Sequence, residues 1–426
     1  MRARIFATRP EKFLTAALLG LVAAALALVV GAASRPSPLV PARKGGFSDW
    51  LRGPLDLGLS IRPSGFVVLL LVMCACYVCV LIWADRVPVR VGLASVVALH
   101  LIFLLAPPLL STDIFNYVDY ARLGVVHHLN PYQHTPGAAP HDAAYGYVAW
   151  RNATTVYGPL FTLASYPHGG LSLPAAIWTT KAVTAAAGLG CVGMVWAVAR
   201  RLERPPLPAA MFVGLNPVLL VWGIGGGHND VLMMLLALCG IYLSLAQREL
   251  GGAMAVAAAS AVKLSAGVVL PFMVLGARRP LRAVIGAVAG AAALAVLAFA
   301  VFGSHATSFL RVLGAQQDHG SLHSVPKAFA DTFGIDATVA AMRPFTTAVF
   351  VIALGFLLVR ARRGVDWVTA AGWATLALLL ATTWFLPWYV VWLLPLAGLS
   401  RSRPLRFATL GLGAFAIAMR VPLWLT

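Results

Sequence analysis

Residues 91–122 read VGLASVVALHLIFLLAPPLLSTDIFNYVDYAR. The first twenty are apolar apart from Ser95 and His100, about the length a helix needs to cross a bilayer core of ~30 Å. Pro107-Pro108 close the run, and the chain passes directly into Ser111-Thr112-Asp113. Asp113 is therefore expected at the membrane–water boundary. If the following segment is helical, Asp113 shares a face with Tyr117 and Phe115 with Asp119. Arg122 lies three residues beyond Asp119 and can pair with it, which leaves Asp113 without a local cation. A half-buried carboxylate gains basicity by desolvation and can take a proton from a hydroxyl. The structural alternative is a helix cap formed by Ser111, Thr112 or Asp113.

The rest of the chain repeats this alternation of apolar runs and short polar breaks. Of 426 residues, 60% are hydrophobic and 11% charged, against about 25% charged in soluble domains. Too little charge remains to cover a water-facing surface, so the fold class is all-α integral membrane. The net charge of +18 sits in short clusters between apolar runs. That is the bias of cytoplasmic turns, with anionic lipid contact as its corollary, rather than a nucleic-acid footprint. Cys74, Cys76, Cys79, Cys191 and Cys239 lie inside apolar runs without His or acidic partners, and read as small buried hydrophobes.

Apolar runs fall at about 13–33, 64–84, 91–110, 172–199, 208–223, 230–246, 281–302, 345–360, 366–383, 386–399 and 405–424, which gives about eleven full spans. The first is expected to be a signal anchor rather than a cleaved leader. Arg2, Arg4, Arg9 and Lys12 put the N-terminus in the cytoplasm. Basic turns at 85–90, 200–204, 278–282, 360–363 and 401–406 all fall inside if 252–276 begins and ends inside. That stretch is accordingly read as a helical hairpin or two half-helices broken near Lys263-Leu264-Ser265; a simple span is the alternative. The whole chain 1–426 is one multi-pass cell-membrane domain. Segments 34–63, 111–171 and 303–344 then lie outside. The first is basic and Gly/Pro-rich, the second is too long for a plain connector, and the third is polar.

Several short clusters carry chemical potential. Asn130-Pro131-Tyr132 and Tyr157-Gly158-Pro159-Leu160 read as turns whose tyrosines can stack on sugar. Gly225-Gly226-Gly227-His228-Asn229-Asp230 combines backbone freedom with three polar groups at a helix start, where an anion such as phosphate is favoured; a capped turn is the alternative. Lys263 at membrane depth is a functional candidate unless it snorkels to the cytoplasmic face. In 303–344, Gln317-Asp318-His319 with His323 has metal-ligand spacing, but a solvated polar loop is the simpler reading, and no metal or cofactor is expected. Trp384-Phe385-Leu386-Pro387-Trp388-Tyr389 marks an interfacial aromatic belt.

Taken in order, Ser111-Thr112-Asp113-Ile114-Phe115-Asn116-Tyr117, Asn130-Pro131-Tyr132, Tyr157-Gly158-Pro159, Gly226-Gly227-His228-Asn229-Asp230, Val262-Lys263 with Leu270-Pro271-Phe272, and Pro387-Trp388-Tyr389 resemble the actinobacterial polyprenol-phosphate-mannose-dependent α-(1→6)-mannopyranosyltransferases of the MptA/MptB type. The resemblance spans about residues 90–400. It implies a glycosyltransferase-C-like bundle with an outward active site, a polyprenyl-phosphate-linked sugar donor, and a glycan or lipoglycan acceptor. It also implies an early external Asp as catalytic base, a role that falls on Asp113. Arg122 is the nearest match to the family's basic pair, and the two N-terminal spans are additions to its simplest plan.

The expected reaction is inversion with a single base, a β-linked donor giving an α product, without the second carboxylate of retaining glycosidases. His228 and Lys263 are candidates to hold the phosphate, and Tyr117, Tyr157 and Trp388 to contact sugar, with Asp119, Arg122, Tyr132, Asn229 and Asp230 also on the substrate side. Competing readings are arabinofuranosyl or other polyprenyl-phosphate-sugar transfer, protein O-mannosylation, and a lipid flippase or transporter. The last would carry paired broken helices and repeats, whereas no internal repeat is evident.

Overall fold

The computed structural model describes residues 2–34, 37, 39–40 and 48–420, with side chains from Lys12 onward. The side chains of Arg2, Arg4 and Arg9, residues 41–47 of the segment 34–63, and residues 421–424 of the final expected span lie outside the described set.

Every regular element among the described residues is helical. In chain order these are α1 (Arg2–Ala33), α2 (Pro63–Ile82), α3 (Val89–Leu104), α4 (Asp113–Val125), α5 (Pro159–Gly169), α6 (Leu173–Arg201), α7 (Pro206–Gly214), α8 (Asp230–Leu245) and α9 (Glu249–Val262). They continue as α10 (Leu270–Gly276), α11 (Pro280–Phe302), α12 (Phe309–His319), α13 (Val325–Thr332), α14 (Val339–Arg362), α15 (Trp367–Ala381), α16 (Leu394–Leu399) and α17 (Arg403–Ala418). Pro63, Pro159, Pro206 and Pro280 each open a helix, where the missing N–H costs nothing and φ is already helical.

Among the described residues, five helices are long and apolar enough to cross a membrane: Lys12–Ala33, Pro63–Ile82, Leu173–Arg201, Pro280–Thr307 and Val339–Arg362. α14 buries none of its residues, and Phe345, Ile352 and Phe356 on it are exposed. An apolar face of that size has a natural cover in lipid.

Two stretches expected as single spans are broken. In 208–223, α7 stops at Gly214 and the chain resumes as π-helix at Leu219–Ile224. Between them stands Asn216-Pro217, with Asn216 Oδ1 accepting from the Val218 N–H and its Nδ2 donating to Tyr77 Oη. In 386–399, a 3₁₀ turn over Pro387–Trp392 precedes the six-residue α16, whose second residue is Pro395. Each proline removes a donor, and Leu386, before Pro387, is extended at φ −133° and ψ 148°. Residues 387–400 are all buried, as irregular backbone in a bilayer requires.

The stretch 252–276 breaks at Lys263, whose φ of −151° and ψ of 122° are extended. A Cβ on Gly286 would meet Leu250 and one on Gly290 would meet Met254, so α9 and α11 advance in the same direction side by side. The intervening 3₁₀ turn (Leu264–Val269) and α10 must therefore carry the chain back toward the start of α9. α10 ends beside Trp367, where a Cβ on Gly276 would strike the indole. Lys263 thus sits at the tip of two short helices.

Candidate active site

Asp113 is placed by a strained turn. Leu110 adopts a φ of +62°, costly for a residue with a Cβ. It is held there on both sides: Leu110 N–H donates to Leu39 O, and Leu109 N–H donates to Gly225 O. The turn ends the α3 run and starts α4 at Asp113. Thr112, the cap position, makes no side-chain cap bond, and Ser111 Oγ accepts from the Asp113 N–H at 3.1 Å. The Asp113 carboxyl therefore does not cap its own helix and points into the molecule.

Its side chain is 18% exposed and lies 3.6 Å from Nδ1 of His228. Burial pushes its pKa up to about 6, with the Asp230 charge adding to the rise. The Lys263 ammonium and hydrogen bonds from Trp150 and Ser111 pull the other way. His228 is fully buried and stacks on Trp388, ring centroids 3.7 Å apart. Tyr117 Oη donates to Asn229 Oδ1 at 3.3 Å and lies 3.5 Å from His228 Nδ1. Gly227 takes a φ of +71°, where a side chain would be strained and would meet Ile114.

Lys263 reaches the same place from the helix break. Its Nζ donates to Asp230 Oδ1 at 2.7 Å and lies 4.4 Å from the Tyr389 ring centroid and 5.2 Å from that of Trp392. Trp392 Nε1 donates to the same Asp230 oxygen. An ammonium has three donors, so binding to Asp230 leaves others for a ligand. The Gly158 N–H donates to Val262 O, and a Cβ on Gly158 would collide with Ala261 O. The Tyr157-Gly158-Pro159 turn is thereby clasped to the break.

These groups meet at a cavity whose wall includes Asp113, Trp150, Tyr157, Lys263, Trp388 and Tyr389, with Phe309, Leu313 and Gln316 of α12 across from them. The residues picked from sequence divide into three shells. Asp113, Tyr157, Lys263 and Trp388 form the wall. Tyr117, His228, Asn229 and Asp230 are not in that lining; His228 Nδ1 lies 3.6 Å from the Asp113 carboxylate, and Asp230 accepts from Lys263. Asn229 occupies the cap position of α8 without a side-chain cap bond.

The remaining three, Asp119, Arg122 and Tyr132, lie outside the lining of this cavity. Arg122 does not pair with Asp119. Its Nε donates to Asp142 at 2.8 Å, and His127 Nε2 lies 2.7 Å from the other Asp142 oxygen. The turn after α4 folds back and brings Asp142 to Arg122, a meeting that the spacing of three residues could not reveal. Asp119 is buried, its Oδ2 without a hydrogen-bond partner, and burial with the Asp142 charge pushes its pKa up to about 7 against the pull of Arg122. Tyr132 is buried, its Oη spent on Tyr157 O at 2.8 Å and Thr162 Oγ1 at 2.9 Å.

The metal-like spacing of 317–323 is taken up structurally. Gln317 Oε1 accepts from Thr382, Thr383 and the Trp384 N–H, and Asp318 pairs with Arg343. Among the described residues no group of three His, Cys, Asp or Glu could hold a metal. The five cysteines are unpaired, and Cys79 is exposed on α2 rather than buried.

Two contributors went unnoticed in the sequence. Trp150 sits in the long 111–171 segment with no spacing to mark it. Lys181, in α6, is fully buried and donates to Phe103 O at 3.1 Å, Ile224 O at 3.4 Å and Gly225 O at 2.9 Å. It ties the end of α3 to the glycine turn. A lone lysine inside an apolar run was the available signal.

Fold and site define a helical membrane protein with an acid and a lysine on the wall of an aromatic cavity. The chain belongs to the MptA/MptB family of α-(1→6)-mannopyranosyltransferases: the family model described as alpha-(1->6)-mannopyranosyltransferase, N-terminal domain, matches residues 15–279, and that of the MptB C-terminal domain matches 319–423. Alpha-(1->6)-mannopyranosyltransferase A of Mycobacterium tuberculosis is 28% identical over 361 residues, 75% of this chain and 67% of the relative. The protein of the same name from Corynebacterium glutamicum is 28% identical over 209 residues, 45% of this chain and 40% of the relative. No solved structure matches the chain.

Proposed function

We propose that this protein is an inverting mannosyltransferase that moves mannose from a polyprenyl-phosphate donor to a mannan or lipoglycan acceptor, forming an α-(1→6) linkage. The observation that carries this reading is the pairing of Asp113, a half-buried carboxylate of raised pKa, with the Lys263 ammonium on one cavity wall. The family membership and the names of the relatives support the sugar and the linkage.

In the reaction, the acceptor hydroxyl oxygen bonds to the anomeric carbon while the bond from that carbon to the phosphate oxygen breaks on the opposite face. Asp113 takes the hydroxyl proton. The polyprenyl phosphate leaves with the bonding pair, and Lys263 stabilises the charge it gains. Tyr157, Trp388 and Tyr389 offer ring faces and hydroxyls for sugar. His228, stacked on Trp388, stands 3.6 Å from the carboxyl of Asp113 and walls it off on that side.

The bundle is assigned to the glycosyltransferase-C class, with the basic end toward the cytoplasm and the Asp113 end outside. The 111–171 segment supplies the base, and α12 of the 303–344 segment covers the cavity. Supporting this orientation, Arg204 pairs with Asp366 and Arg406 donates to Ser400 O at the end remote from Asp113.

The test is transfer of radiolabelled mannose from polyprenyl-phosphate mannose to a short α-mannoside in membranes. Asp113→Asn should lower transfer on the order of 10²-fold or more with expression intact. Transfer from a polyprenyl-phosphate pentose but not from the mannose donor would move the assignment to arabinosyl transfer.

A further inference from the structure

We propose that the end of the bundle opposite Asp113 holds an anionic phospholipid, its phosphate on Arg403 and Arg406 and an acyl chain in the cavity between α2, α7 and α17. This cavity, of about 470 Å³, has Val78 and Ile82 of α2, Phe212 of α7 and Leu410 of α17 in its apolar wall, with Arg403 and Arg406 at one side. It is separate from the Asp113 cavity, sharing no residue with it. The inference therefore stands apart from the proposed reaction.

Three features select the occupant. The first is charge. No carboxylate lines the cavity. Arg403 and Arg406 lie three apart on one helix, and with Arg204 their guanidinium charges repel. Arg204 has Asp366 as partner; Asp85 is the acid felt by Arg406, and it stands outside the lining. The second is unspent hydrogen bonding. Arg406 Nη2 donates to Ser400 O at 2.7 Å, while its buried Nε has no partner. A guanidinium carries further N–H donors, and phosphate oxygens fit their fork geometry.

The third feature is where the cavity opens. Ile82 is 67% exposed and Val78 43%, so its α2 wall continues into the belt that lipid covers. A free phosphate has no use for that apolar volume, whereas a lipid fills both halves. Basic pockets between spanning helices are a recurrent headgroup site.

The experiment uses the purified full chain in mixed micelles, with native mass spectrometry of the lipid it retains. Dioleoyl phosphatidylglycerol should be retained in preference to dioleoyl phosphatidylcholine. Arg403→Gln/Arg406→Gln should weaken that retention about 30-fold, from ~1 kcal/mol per basic residue. Val78→Trp, which fills the cavity and leaves charge unchanged, should also reduce it. If the glutamine variant fails to fold, Val78→Trp and the charge-keeping Arg403→Lys/Arg406→Lys carry the test, the first losing and the second keeping the lipid. Equal retention of the two lipids, retention unaltered by the glutamine variant or by Val78→Trp, or displacement of phosphatidylglycerol by millimolar inorganic phosphate would overturn the proposal.

Discussion

Lys263 places its Nζ 2.7 Å from Oδ1 of Asp230, across 33 residues of chain. The aspartate side chain is fully enclosed, and the lysine comes from the tip of two half-helices. Neither charge could rest there alone, since an isolated ion in a low-dielectric interior is far costlier than a hydrogen-bonded pair. The pair therefore fixes the helix break against the start of α8, and it leaves the ammonium facing the cavity that contains Asp113.

From this follows a double-mutant cycle. Lys263→Met strands a buried carboxylate, and Asp230→Asn strands a half-buried ammonium. Each should cost about 3–5 kcal/mol by the usual penalty for breaking a buried pair. The double variant should lose clearly less than the sum. Thermal melts in detergent measure this; additive losses would mean that the two groups do not interact.

The pH dependence of transfer reports on Asp113. As base it must be deprotonated, so kcat/KM should fall as pH drops through about 6, the value to which burial has raised it. Stability should run the other way. A carboxyl with a raised folded pKa binds its proton more tightly when folded, so its contribution is best in acid and declines as pH rises from the ordinary aspartate range toward about 6. Asp113→Asn should thus flatten the acid limb, lower turnover on the order of 10²-fold or more, and leave the melting temperature at neutral pH unchanged or higher. A melting loss on Asp113→Asn would make the carboxylate structural.

Arg122, Asp142 and His127 form a structural knot just beyond α4. Burial alone would raise the Asp142 pKa, but hydrogen bonds from Arg122, the Ala144 N–H and His127 outweigh it and hold the carboxyl below its usual range. Its stabilising contribution is complete at neutral pH and is lost as pH falls through that depressed value. Asp142→Asn should cost about 1–3 kcal/mol in melting experiments, the range for a hydrogen-bond partner removed from a buried group. Near-normal transfer by the folded fraction is expected, and a selective rise in KM for the sugar acceptor with unchanged melting would return Arg122 to the substrate side.

Gly158→Ala should disrupt the clasp on the helix break. The new Cβ would run into the Ala261 carbonyl, a backbone atom that cannot step aside without moving α9. Lower melting temperature and reduced transfer should appear together. Gly146→Ala, in the same loop but with open space around it, should be silent; equal damage from both would show that the close approach at Gly158 has no special weight.

The long apolar runs were legible because a bilayer demands some twenty apolar residues whatever their neighbours. Asp113 was legible because a carboxylate directly beyond such a run needs a reason to be there. The breaks were partly legible: Lys263 announced one, whereas Asn216-Pro217 and Pro387 were read as lying within spans or at their edge, and the structure shows that backbone irregularity there is enclosed by protein. The surroundings of Tyr132 were not legible, because a Tyr-bearing turn looks alike whether its hydroxyl faces a cavity or bonds to Thr162 and the Tyr157 carbonyl.

The sequence by itself settled the solvent of this protein and the family to which it belongs, since hydropathy and motif order are local, additive properties of the chain. Which polar side chains meet was decided by the tertiary structure alone. Arg122 chose Asp142 over Asp119, and His228 came to lie 3.6 Å from Asp113, because partners are set by how the chain folds back across tens of residues. Spacing along one helix carries no record of that distance.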